Sequence, residues 1–95
     1  MALERKNPQE MTDKEFDTLD ELYFLQPYKT LQEQLKYSDI ELMNILNQLL
    51  KKGWLRCYIN PNDEIDYEET RYLKEYRKYY YLASKEGLLA HNSNF

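Results

Sequence analysis

The sequence predicts a mainly helical domain carrying a small β-hairpin, and three observations predict it. Thr12/Glu15, Thr30/Glu33 and Ser38/Glu41 each set a hydroxyl three residues ahead of a glutamate, the pattern in which side chain and backbone cap a helix start reciprocally. At Gly53 the apolar period changes from about 3.6 to about 2, the mark of a helix giving way to a strand. Strand character returns at Arg77–Ala83 after a long polar stretch.

The elements follow in order. Phe16, Leu19, Leu22 and Tyr23 recur at helical spacing behind Thr12, predicting a first helix from Asp13 to Leu25 that Pro27 ends. Pro27-Tyr28-Lys29 is read as a connector. Leu31 and Leu35 supply one stripe for a two-turn helix opened by Thr30. Ile40, Leu42, Met43, Ile45, Leu46, Leu49 and Leu50 make the broad apolar face of a third helix over 39–52. Lys51 and Lys52 suit the negative end of its dipole, and Gly53 suits a left-handed stop. Trp54–Asn60 is rich in aromatic and β-branched residues and reads as a strand, followed by a turn at Asn60-Pro61-Asn62-Asp63. Between Glu64 and Tyr76 two readings stand: Ile65 and Tyr67 continue a hairpin, or Glu68–Tyr76 forms a helix. Ser84 caps a short helical turn through Leu88 and Leu89. Leu19, Leu22, Tyr23, Leu31, Leu35, Leu42, Leu46, Leu49, Trp54 and Ala83 are the expected core.

At 95 residues and 42% hydrophobic the chain holds one modest core, with no room for a second domain. Two glycines and three prolines leave no linker or low-complexity run. No apolar stretch approaches the roughly 20 residues of a membrane helix, and Met1–Lys6 has no signal-peptide core, so a cytoplasmic location is expected. The single cysteine, Cys57, has no partner for an internal disulfide, which agrees with a reducing compartment. The net charge of −4 conceals a gradient: −5 over residues 1–41, −2 over 42–70 and +3 over 71–95. An anionic partner would therefore meet the last third and the Lys51-Lys52-Arg56 cluster.

Helix, short helix, longer helix, strand, turn and strand is a winged-helix order, and two segments resemble that superfamily. Leu42, Leu46 and Leu49 followed by Lys52-Gly53-Trp54-Leu55 look like its leucine-spaced helix stepping into the wing. Tyr81-Leu82-Ala83-Ser84-Lys85-Glu86-Gly87 is similar to the Tyr-x-Leu-Thr-x-x-Gly run closing the wing in MarR-like and PadR-like bacterial regulators, with Ala83 and Ser84 in place of Leu and Thr. The resemblance implies a winged helix-turn-helix with an enlarged wing. It divides into an extension over 1–11, helices and first wing strand over 12–60, an insertion over 61–76, the last strand and short helix over 77–90, and a tail over 91–95. Some sixteen residues between the strands is long for a loop, so an insertion is expected.

The resemblance further implies a DNA-binding transcriptional regulator, with the third helix in the major groove and the wing on the backbone. Asn44, Asn47 and Gln48 would then read adenine edges, while Lys51, Lys52, Arg56, Arg71, Lys74, Arg77 and Lys78 would meet phosphate. Asp39 and Glu41 at the start of that helix oppose such binding. A homodimer is expected on two-fold half-sites, through Leu3–Met11 or the stretch holding six of the ten tyrosines between Tyr67 and Tyr81. Those tyrosines, interleaved with cations, suit single-strand stacking, a protein interface or simple core packing.

Enzymatic chemistry has little support. His91 is the only histidine and lies in the expected tail, Cys57 sits mid-strand as a small hydrophobe, and Asp63, Glu64, Asp66, Glu68 and Glu69 lack calcium-loop spacing. No cofactor or metal is expected. Two readings remain: a regulator binding duplex DNA, or a winged helix that binds protein at its tyrosine-rich wing.

Overall fold

A computed structural model describes residues 10–93, and within them five helices flank a four-stranded antiparallel sheet. Helix α1 spans Asp13–Asp20, strand β1 Gln26–Pro27, α2 Tyr28–Leu35, α3 Asp39–Lys51, β2 Leu55–Asn60, β3 Asp63–Ile65, α4 Glu69–Glu75, β4 Tyr80–Ala83 and α5 Lys85–Asn92; a 3₁₀ turn, Tyr76–Lys78, follows α4.

Two of the three expected caps close as read. Thr12 and Glu15 form the reciprocal capping box of α1, and Ser38 accepts from the Glu41 amide at the start of α3. The third does not. Helix α2 starts at Tyr28, two residues before Thr30, with Pro27 at its cap and no side-chain bond there. The Tyr28 amide instead donates to the Tyr79 carbonyl at 3.1 Å, so a contact from the far end of the chain sets this start.

Helix α1 stops at Asp20 rather than at Leu25. The carbonyl of Leu22 accepts from the Ala83 amide, and Gln26 pairs with Tyr81 while Pro27, expected to open a connector, pairs with Tyr80, the two forming an edge strand. Proline is tolerated there because an edge strand has one set of backbone groups unpaired anyway. Gly53 takes φ +77 after α3, as its position requires.

The insertion takes part of each open reading: Ile65 closes a short hairpin on Cys57, but the strand ends there and Tyr67 turns to α3 instead of continuing it, and α4 follows over Glu69–Glu75. Strand β4 begins at Tyr80, three residues later than expected, because Tyr76–Lys78 turn into it. Helix α5 runs past Ala90 to Asn92, so the expected tail is partly helix.

The sheet order is β1-β4-β2-β3. Cross-strand partners share a face. The row Gln26, Tyr81, Cys57 and Ile65, with Leu55 and Ala83, faces the core. There it meets Leu19, Leu22, Leu31, Leu42, Leu46, Leu49 and Trp54. Tyr23 is an exception to the expected core, being partly exposed, and Leu35 is only half-buried.

Candidate interaction faces

The insertion lies along one ridge of α3. Residues 39, 43, 47 and 51 follow each other at four-residue steps, which stack on one side of a helix. Asp39 accepts from Tyr28 (2.5 Å), Tyr76 (2.6 Å) and Arg77; the Met43 carbonyl accepts from Tyr72 (2.6 Å); Asn47 bonds Tyr67 (2.5 Å) and Glu69 (2.8 Å); Lys51 pairs with Glu69 at 2.8 Å. With Arg77, Tyr28 and Tyr76 all donating to it, the Asp39 carboxyl is held down at about 2.

This arrangement decides where each expected DNA-contacting residue stands. Asn47, expected on the groove face, is only 7% exposed and spends its amide on the insertion. Asn44, Gln48 and Lys51 remain on the outer side of α3 with Ile40. Five of the seven expected cations are paired with the chain's own carboxylates: Lys51 with Glu69, Lys52 with Glu15 at 2.7 Å, Arg56 with Glu64 at 2.6 Å, Arg77 with Asp39, and Lys78 with Glu75 at 3.3 Å. Arg71 donates to the Asp66 carbonyl at 2.7 Å. Lys74 is exposed and forms no ion pair among the described residues.

Lys52 is structural. It is 15% exposed, bonds both Glu15 oxygens and the Glu10 carbonyl, and lies 4.9 Å over the Trp54 ring. It ties the end of α3 to the start of α1.

Most of the tyrosine-rich stretch is likewise consumed inside the molecule. Tyr72, Tyr76, Tyr79 and Tyr81 are buried in a chain of ring contacts 5.6–6.5 Å apart, which removes them as a dimer surface; of the other expected dimer segment, residues 3–9 lie outside the described residues. Burial pushes the Cys57 thiol up to about 11, so it stays protonated and packs as a hydrophobe.

His91 corrects the expectation of a terminal tail. It is fully buried on α5, stacked on Phe16 at 4.1 Å between centroids, with Nδ1 2.7 Å from the Tyr23 hydroxyl and Nε2 3.6 Å from Asp20. Hydroxyl, imidazole and carboxylate meet here, but the sealed ring leaves no approach for a substrate atom, and the contact clamps α5 to α1. The signal in the sequence is the spacing of Ser84, Gly87 and His91, one stripe of a helix without a large apolar side chain to mark it.

The chain matches no protein-family model, no curated protein and no solved structure. Among the described residues no helix is long and apolar enough to cross a membrane.

The second face is the outer side of the sheet. Pro27, Tyr80, Tyr58 and Glu64 are successive cross-strand partners and form one row; Leu82 opposite Arg56 begins the next. Tyr58, Tyr80 and Leu82 are partly exposed, and the Arg56 guanidinium lies 5.9 Å from the Tyr58 ring centre. Neither the Tyr58 nor the Tyr80 hydroxyl has a hydrogen-bond partner among the described residues. Nothing in the alternation of Trp54–Asn60 singles this face out, because it needs the partner strands from positions 27, 64 and 80.

Proposed function

We propose that this chain is a winged-helix module that docks a protein partner rather than reading duplex DNA. The winged-helix part rests on order and pairing: helix, edge strand, two helices, then β2 and β4 paired as neighbours with β3 and α4 inserted between them in sequence, and the edge strand beside β4. The observation that carries the protein-docking part is the pairing of the cations. Duplex affinity comes chiefly from cations that neutralise phosphates and release counterions. Residues 39–78 hold eight acids against seven bases. Exposed ion pairs are worth only about 0–1 kcal/mol, so a phosphate can open one. The displaced carboxylate then stays well inside the Debye length of about 10 Å at 0.1 M salt and repels the same phosphate.

A second reading, duplex binding by a regulator, is favoured by one observation: Asn44, Gln48 and Lys51 stand together on the outer side of α3. Titration of the full chain with a mixed-sequence duplex pool at low salt separates the two. The protein-docking reading expects no saturable binding at micromolar protein. Binding that weakens steeply with salt, and that Lys51→Gln weakens further, would overturn it.

A further inference from the structure

The buried tyrosine cluster ends on a chemistry that packing alone does not require. We infer that Tyr28 and Tyr76, with Asp39 between them, form a one-electron redox site, where a tyrosyl radical forms and Asp39 takes the phenol proton. This goes beyond the protein-docking reading and does not rest on it.

A shared base is the first observation. Tyr28 Oη donates to Asp39 Oδ1 at 2.5 Å, and Tyr76 Oη donates to Oδ2 at 2.6 Å. Elsewhere in the cluster the hydroxyls donate to neutral oxygens: Tyr67 to Asn47 Oδ1, Tyr72 to the Met43 carbonyl and Tyr81 to the Tyr76 carbonyl. Burial, and then the hydrogen bond to Asp39, push both phenols above their ordinary value, so they keep their protons until an electron leaves. A phenol that has lost an electron is a strong acid, and a carboxylate held down at about 2 is still base enough to take its proton.

The second observation is a path. Between ring centroids, Tyr28 and Tyr76 lie 5.3 Å apart, Tyr76 and Tyr72 5.6 Å, and Tyr72 and Tyr67 6.1 Å. Tyr67 is half-buried and reaches the surface, whereas Tyr28 and Tyr76 are 3% and 5% exposed. An electron thus leaves the sealed pair in short steps, and the radical left behind is shielded from water.

Charge selects between the two phenols. The Arg77 guanidinium lies 4.9 Å from the Tyr76 ring centre and opposes the loss of an electron there. Tyr28 has no cation over its ring among the described residues, so the radical settles on it. The step balances as follows: an outer-sphere one-electron oxidant at the surface is reduced, Tyr28 is oxidised, its O–H bond breaks, and an O–H bond forms at Asp39 Oδ1.

The test uses the full chain at neutral pH, with photogenerated tris(bipyridine)ruthenium(III) as oxidant and freeze-quenched electron paramagnetic resonance as readout. The expected result is a tyrosyl signal that outlives that of free tyrosine under the same flash. Tyr28→Phe keeps the ring and should at least halve the surviving signal, while Tyr72→Phe should delay its appearance. Deuterium oxide leaves the sequence untouched and should slow formation, because the proton moves with the electron. A signal no longer-lived than that of free tyrosine overturns the inference, as does one unaffected by Tyr28→Phe. Loss of the signal with Tyr23→Phe would move the radical to the pair that Tyr23 makes with His91 at 2.7 Å, and overturns it equally. Formation at an unchanged rate in deuterium oxide removes Asp39 as proton acceptor, and the inference with it.

Discussion

Gly87 shows how one side chain can be forbidden by an element distant in sequence. It lies in the first turn of α5, where its amide donates to Ser84 Oγ at 3.0 Å, while Ser84 reaches back to the Gly53 carbonyl at 2.6 Å. A Cβ on Gly87 would overlap the Trp54 carbonyl oxygen, a backbone atom already fixed by the Ser84 amide. Gly53 differs: its φ is +77, yet space around it is open. Chemical denaturation should separate the two causes. Gly53→Ala is expected to cost about 1–2 kcal/mol through left-handed backbone strain. Gly87→Ala should cost about 3 kcal/mol or more, since a rigid overlap adds to an already packed site. Equal losses would mean that α5 shifts freely away from Trp54. Asn47 belongs at this scale too: its polar side chain on a helix face reads as a groove contact until Tyr67 and Glu69 are seen to surround it.

The insertion and α3 behave as one element pair, joined at the start of α3 by Asp39. Because Arg77 and the two tyrosine hydroxyls hold its carboxyl at about 2, against an ordinary 3.8, the folded state favours the ionised form. The sign follows: this stability is fully present above the unfolded value and is lost as pH falls through about 2. Asp39→Asn removes the titrating group. Acid unfolding followed by circular dichroism should show wild type more stable than the variant at pH 5, with the gap narrowing steadily between pH 4 and 2. A gap constant with pH would show that the carboxylate charge has no part in the latch. The sequence makes Asp39 legible as an acid in the first turn of α3, which also suits the helix dipole. Its partners at positions 28, 76 and 77 are not legible, because no local period connects them.

At the scale of the whole molecule, the last helix closes onto the first. Phe16, Tyr23 and His91 bring residues some 70 positions apart into one stack, so the C-terminal helix acts as a lock on α1 rather than as a trailing segment. Removing the imidazole leaves a cavity against Phe16 and strips the Tyr23 hydroxyl of a partner. His91→Ala is expected to lower unfolding stability by about 2–4 kcal/mol. Hydrogen exchange should show early loss of protection in α5. Uniform protection along the chain would contradict the lock.

Local signals determined much of this protein. Thr12, Ser38 and Gly53 act within four residues of themselves, through caps and a left-handed stop, so their helix boundaries could be read directly. The strand at Leu55–Asn60 and most of the leucine core were legible for the same reason, since period alone decides which side is buried. Only the tertiary structure decided the start of α2, the edge strand at Pro27, the fate of the cations and the position of His91. Each depends on a hydrogen bond, ion pair or ring contact between residues far apart in the chain, and the energy of such a contact exists only once folding has brought both partners together.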